Sequence, residues 1–200
     1  MNKSEEWHLT DSFTPIRYEH MIKALRIVPQ SILDVGIGSG IGGKVLRSHF
    51  PNSFLCGLDA VKARTENHLS HYDQLFYGSA IETNFVANSF DLVVAGELLE
   101  HIAPVDVEKF IFEIYRILKP SGCFVFTTPN PNDLKLRIRK GSVLGGSHLS
   151  QHFIKATKLR LQMQSFQIRK VWGTGKTSRI IGRHFPKFLY GSYLMVAQKS

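Results

Sequence analysis

The sequence predicts an α/β fold, a doubly wound, seven-stranded, mostly parallel sheet with one antiparallel edge strand and helices on both faces. Three observations carry that prediction. Short, almost continuously apolar runs such as Phe90-Asp91-Leu92-Val93-Val94-Ala95 alternate with helical patterns, as strands covered on both faces require. Gly36-x-Gly38-x-Gly40 stands between the first such run and the next helix, where the backbone must turn tightly and can approach a ligand. Near the carboxyl terminus two strand-like runs are separated by a loop instead of a helix, which calls for antiparallel pairing.

The elements follow in order. Thr14-Pro15 opens a helix, because Pro is tolerated in a first helical turn. Met21, Ile22, Leu25 and Val28 share one of its faces, and Pro29 stops it. Ser31–Val35 is the first strand, Ile41–His49 the second helix, and Phe54–Asp59 a strand ending in an acid. Residues 61–72 read as helix and Gln74–Tyr77 as a third strand. After the fourth strand, Phe110, Ile111, Ile114, Tyr115 and Leu118 repeat at the helical period until Pro120 and Gly122. Cys123–Thr128 is the fifth strand, residues 129–147 are irregular and basic, and Phe153–Met163 is helical. Strands at Phe166–Trp172 and Tyr193–Gln198 complete the sheet.

A chain of 200 residues with 43% hydrophobic content suits a single domain, with residues 1–13 as an arm and 129–150 as a basic segment on the substrate side. No apolar run is long enough for a membrane-spanning helix, and the first ten residues do not read as a signal peptide. Cys56 and Cys123 lie in apolar runs and read as buried free thiols, which fits a cytoplasmic setting. Charge is segregated. Residues 1–133 hold all 16 acids and 11 of the 25 bases, whereas residues 134–200 hold 14 bases and no acid. Such a segment is either a solvated face or a surface for phosphate-bearing, lipid or nucleic-acid partners.

Gly36-x-Gly38-x-Gly40 alone is weak evidence, and a dinucleotide fingerprint fits only when shifted to Gly38-x-Gly40-x-x-Gly43. Asp34, at the strand tip, would repel a pyrophosphate but suits an ammonium-bearing ligand. Asp59, at the next tip, can accept hydrogen bonds from both ribose hydroxyls. A cationic nucleoside such as S-adenosylmethionine meets both conditions better than a nicotinamide dinucleotide does.

Ile32-Leu33-Asp34-Val35-Gly36-Ile37-Gly38-Ser39-Gly40 resembles the first motif of class I S-adenosylmethionine-dependent methyltransferases, and Gly57-Leu58-Asp59 resembles their second. Phe90–Val94 with Leu99-Glu100-His101 is similar to the ubiquinone-methyltransferase-like branch, and Leu118-Lys119-Pro120-Ser121-Gly122 is similar to its usual L-K-P-G-G turn. The resemblance implies a Rossmann-like fold with Asp34, Gly36, Gly38 and Gly40 around the methionine part of the cofactor and Asp59 on its ribose. It also implies Ser79 and Ala80 beside the adenine, in a stretch lacking the family's acid, and Gly96 and Glu97 at the methyl-transfer position.

Transfer to oxygen or nitrogen needs a deprotonated acceptor, and His101 with Glu100 is the candidate catalytic pair. The alternative is that Glu100 caps a helix and His101 packs beneath it. A third reading is a divalent-metal site of Glu97, Glu100, His101 and His148, since related O-methyltransferases of ubiquinone pathways and small RNAs look similar here. His152 is the alternative fourth ligand, and its other reading is an exposed loop histidine.

Lys135, Arg137, Arg139 and Lys140 interleave with Leu134, Leu136, Ile138 and Val143, an amphipathic stretch that could cover an amphiphilic acceptor or lie on a membrane surface through residues 134–147. The Arg183–Tyr190 run has the same character. The expected acceptor is an oxygen or nitrogen of a small amphipathic, acidic or phosphate-bearing metabolite of quinone or lipid type. RNA 2′-O-methylation and a non-catalytic cofactor-binding partner protein are the alternatives.

Overall fold

The structure, a computed structural model, describes residues 13–62, 66–175, 177–184 and 186–200. The arm at 1–12, Phe185 in the second basic-aromatic run, and residues 63–65 of the expected third helix lie outside the described residues. The strands are β1 (Ser31–Val35), β2 (Phe54–Asp59), β3 (Gln74–Tyr77), β4 (Phe90–Gly96), β5 (Leu118–Pro129), β6 (Phe166–Thr174) and β7 (Ser192–Lys199). They form one sheet in the order β3-β2-β1-β4-β5-β7-β6. The first five run parallel, and β7 is antiparallel to both β5 and β6, one position in from the edge. The order reverses between β1 and β4, which opens a crevice at the carboxyl ends of the strands.

Helices α1 (Thr14–Ala24), α2 (Ile41–His49), α3 (Val107–Ile117), α4 (Leu134–Ile138), α5 (Ile154–Met163) and α6 (Ser178–Ile181) accompany the sheet. Because strand side chains alternate, each strand serves two cores. Ile32, Leu55, Leu92, Val94 and Val125 pack with Tyr18 and Met21 of α1 and Leu46 of α2. Leu33, Val35, Leu58, Val93 and Phe124 pack with Phe110, Ile111 and Ile114 of α3 and Leu161 of α5. Asp34 has the parity of Ile32, so its carboxylate enters the α1–α2 layer.

Several local expectations change. α1 ends at Ala24 because Leu25 is extended, and Val28, assigned to the buried face, is 86% exposed. Where a helix was expected at 61–72, Glu66–His71 forms a 3-10 helix. β5 begins at Leu118, directly after α3, so Pro120, three residues beyond the helix end, already lies in a strand. Residues 129–147 contain the short helix α4, whose first turn is capped by Asp133 accepting from Leu136 N. Among the described residues no helix is long and apolar enough to cross a membrane. Cys56 and Cys123 are buried free thiols.

Candidate active site

The glycine loop leaves β1 with Gly36, Gly38 and Gly40 all at positive φ (76°, 52° and 80°), a path closed to most other residues. Asp59 at the tip of β2 fastens the loop, its Oδ2 accepting from Gly38 N and its Oδ1 from Val61 N, both at 2.9 Å. Gly78 N donates to Asp59 O, which brings the exposed Ser79 and half-buried Ala80 next to that tip.

Asp34 is fully buried, and both its carboxylate oxygens are occupied by tyrosine hydroxyls. Tyr18 Oη donates to Oδ1 at 2.6 Å and Tyr72 Oη to Oδ2 at 2.7 Å. Burial pushes the Asp34 carboxyl up to about 6 against the downward pull of the two hydroxyls. Asp34, expected beside the cofactor, holds Tyr18 and Tyr72 at the foot of the glycine loop.

At the tip of β4, Glu97 has φ 52°, held by its N–H donating to Thr127 Oγ1 and Thr127 O, both at 3.1 Å. Its side chain turns toward α1 and β7. Oε1 lies 3.7 Å from Arg17 Nε, and Oε2 accepts from Ser192 Oγ at 3.3 Å. A 3-10 turn, Leu99–His101, then presents Glu100 and His101. Glu100 is buried, with Oε2 accepting from Thr128 Oγ1 at 2.9 Å and Oε1 lacking a hydrogen-bond partner among the described residues. Burial first, then the charge of Glu97, pushes its carboxyl up to about 8.

His101 Nδ1 lies 3.1 Å from Ser147 O, and His148 Nδ1 lies 2.8 Å from Val143 O. A carbonyl can only accept, so each Nδ1 carries the proton and Nε2 is the basic nitrogen. The rings meet edge to face with centroids 5.0 Å apart. Ligand atoms of Glu100, His101 and His148 fall within 4.8 Å of one another. Of the four expected metal ligands these three are brought together, and Glu97 points elsewhere. Two imidazoles oriented by carbonyls beside a buried carboxylate oxygen without a hydrogen-bond partner form a donor set that fits a divalent ion.

His152 is buried, not exposed, because its Nε2 reaches Leu99 O at 3.0 Å and lies 2.8 Å from Ser150 Oγ. With Leu149 N and Ser150 N donating to Glu100 O, it staples the segment before α5 to the Glu100 turn. A cleft of about 220 Å³ adjoins this staple, lined by Pro104, Val107, Leu144, Leu149 and Arg160 among others.

Tyr18, Tyr72, Arg17, Thr127 and Thr128 are absent from the sequence expectations. One local trace was present in the adjacent Gly42 and Gly43 of α2, since paired glycines weaken a helix unless something passes close by.

Residues 33–126 match a family model described as a methyltransferase domain. A ubiquinone biosynthesis O-methyltransferase of Rickettsia canadensis is 26% identical over 154 residues, covering 72% of this chain and 61% of that protein. A malonyl-[acyl-carrier protein] O-methyltransferase of Hahella chejuensis is 30% identical over 136 residues, covering 66% and 48%. The chain spans about two-fifths to three-fifths of the length of the curated relatives it matches. A solved S-adenosylmethionine-dependent methyltransferase from Archaeoglobus fulgidus superposes with a TM-score of 0.68 at 19% identity, covering 92% of both chains. The sheet order, the acid-flanked glycine loop and these matches agree in one respect, that residues 33–126 carry a methyltransferase domain on the fold of the solved methyltransferases.

Proposed function

We propose that this protein transfers a methyl group from S-adenosylmethionine to an oxygen of a small amphipathic acceptor. The observation that carries the proposal is the grouping of buried Glu100 with His101 and His148 beside the donor crevice. An imidazole able to take a hydroxyl proton, within a group that could hold the hydroxyl oxygen on a metal, suits an oxygen acceptor. The names of the relatives, methyltransferases acting on oxygen in ubiquinone biosynthesis and on malonyl-[acyl-carrier protein], support the same chemistry.

S-adenosylmethionine supplies an electrophilic methyl group on a sulfonium. When it binds, Gly36, Gly38, Gly40 and Gly96 would leave backbone open to it, Asp59 would hold the ribose, and Ser79 and Ala80 would border the adenine. Asp34 contributes negative charge beneath the loop, and Glu97 contributes it at the β4 tip, its side chain held by Arg17 and Ser192. His101, with Nε2 as the basic nitrogen, accepts the acceptor's proton, and the buried Glu100 carboxyl beside it, pushed up to about 8, takes on negative charge only as the His101 imidazolium forms or the pH rises. The staple through Ser150 and His152 holds this turn, since methyl transfer depends on an in-line approach.

The acceptor side is assigned to residues 129–150. Lys135, Arg137, Arg139 and Lys140 are exposed there, and so are Leu134, Ile138, Leu144 and Leu149. Cations around apolar side chains suit an amphiphile or the membrane surface that holds it. The clustering of Glu100, His101 and His148 also favours a second reading, in which a divalent ion bound by them acidifies the acceptor hydroxyl.

Transfer of a tritiated methyl group to cell extract separated into lipid, small-molecule, RNA and protein pools tests the proposal. Label should enter the lipid or small-molecule pool, and Glu100→Gln should lower the rate by about a hundredfold. Label in RNA would overturn the acceptor class. Donor binding without transfer to any pool would point to a non-catalytic cofactor-binding protein. Loss of activity on chelation, restored by Mg²⁺ or Mn²⁺, would establish the metal, and indifference to chelator would remove it.

A further inference from the structure

Tyr18 and Tyr72 reach Asp34 from opposite sides, one from α1 and the other from the segment after the 66–71 turn. Both rings cross α2 on the way. A Cβ at Gly42 would stand 2.2 Å from Tyr18 Cζ, and one at Gly43 would stand 2.3 Å from Tyr72 Cζ. Rigid rings buried in a packed layer cannot retreat from such contacts. Each glycine weakens α2 by about 1 kcal/mol relative to Ala, so the helix gives up stability to admit the tyrosines. Tyr18 also flanks Gly96, whose Cβ position lies 3.1 Å from its Cε2, so this ring spans from the β1 tip to the β4 tip.

The arrangement has one stable distribution of protons. Burial, then the charge of Asp34, holds both tyrosine hydroxyls well above their usual range, so each keeps its proton and donates it. Asp34 carries the charge. The other charged groups acting on this cluster are Arg17 of α1 and Asp59 of β2, while α2 turns uncharged Gly42 and Gly43 toward it. A carboxylate is thereby fixed under a glycine loop whose ligand, on the donor reading, carries an ammonium and a sulfonium.

We propose that Tyr18 and Tyr72 are positioning residues of the donor pocket, which clamp the Asp34 carboxylate and through it pin α1 and the Tyr72 segment against the glycine loop. The inference rests on the methyl-donor reading and adds to it that donor affinity follows the charge state of Asp34, which the two hydroxyls set.

Calorimetry of the full chain with S-adenosylmethionine and with S-adenosylhomocysteine tests this between about pH 5 and pH 7.5, the range that brackets Asp34. Wild-type affinity should fall below about pH 6, where Asp34 takes up a proton. Tyr18→Phe and Tyr72→Phe keep the rings but remove a donor, so each should weaken binding about tenfold at neutral pH. Each should also move the midpoint upward by about half a pH unit or more, which a purely structural role would not do. The same upward shift should appear in the Asp34 carboxyl carbon resonance of the ligand-free protein, and Asp34→Asn should flatten the profile. Tyrosine variants with the wild-type midpoint and affinity would overturn the inference. Should Asp34→Asn not fold, the tyrosine variants decide alone. A wild type that binds neither ligand at any pH would overturn the donor reading itself.

Discussion

The His152 imidazole is buried against the Leu99 carbonyl, and burial lowers its protonation to about 4. Below the ordinary value of 6.5 the unfolded chain takes up a proton that the folded site refuses, so this group removes stability as pH falls from about 6.5 to about 4. The span corresponds to at most about 3 kcal/mol. Asp34 works in the opposite direction, because its folded carboxyl is protonated first as pH drops through about 6. Comparison with His152→Gln cancels that contribution. The stability difference between wild type and variant, measured by urea unfolding, should shift toward the variant by about 2 kcal/mol between neutral pH and about pH 4.5. A difference independent of pH would show that His152 does not titrate this way. His101 was legible because the Glu-His pair sits in one short motif, whereas the burial of His152 depends on a carbonyl 53 residues away.

Element boundaries were most legible where an apolar run meets a glycine turn. β1, α2, β2 and β3 fall at the expected residues because parallel strands buried on both faces need such runs, and the turns that end them need glycine or an acid. The end of α1 was not legible. Lys170 Nζ donates to Ala24 O at 2.7 Å, so a cation from β6, rather than Pro29, caps this helix. α3 carries the clearest periodicity and the clearest consequence. Phe110 is fully buried, its ring 6.0 Å from that of Phe124. Phe110→Ala should cost about 3–5 kcal/mol in equilibrium unfolding. A loss below about 1 kcal/mol would mean that α3 packs more loosely than these contacts show.

Over the whole molecule, the acid-free segment from residue 134 does two jobs. Some of its cations are structural, as where Lys199 Nζ donates to Tyr115 O and Leu118 O at the end of α3, or Arg160 pairs with Glu108. Those of α4 and the residues after it are exposed beside exposed leucines and Ile138. If this face meets the surface holding the acceptor, the protein should sediment with vesicles containing anionic lipid but not with neutral ones. Arg137→Glu with Lys140→Glu should weaken that binding by about 1 kcal/mol or more per cation, in a salt-dependent way. Equal binding of the double variant would assign these cations to solvent.

The sequence by itself determined the α/β class, most of the strands, the glycine turn and the acids at two strand tips, because each is written within a few neighbouring residues by side-chain period or backbone freedom. Only the tertiary structure decided what those groups face. Asp34 meets hydroxyls 16 and 38 residues away, Ser192 reaches Glu97 from 95 residues along, and His148 joins Glu100 and His101 from a separate loop. Such partners are chosen by which layers pack together and how deeply a charge is buried, and no local pattern records either.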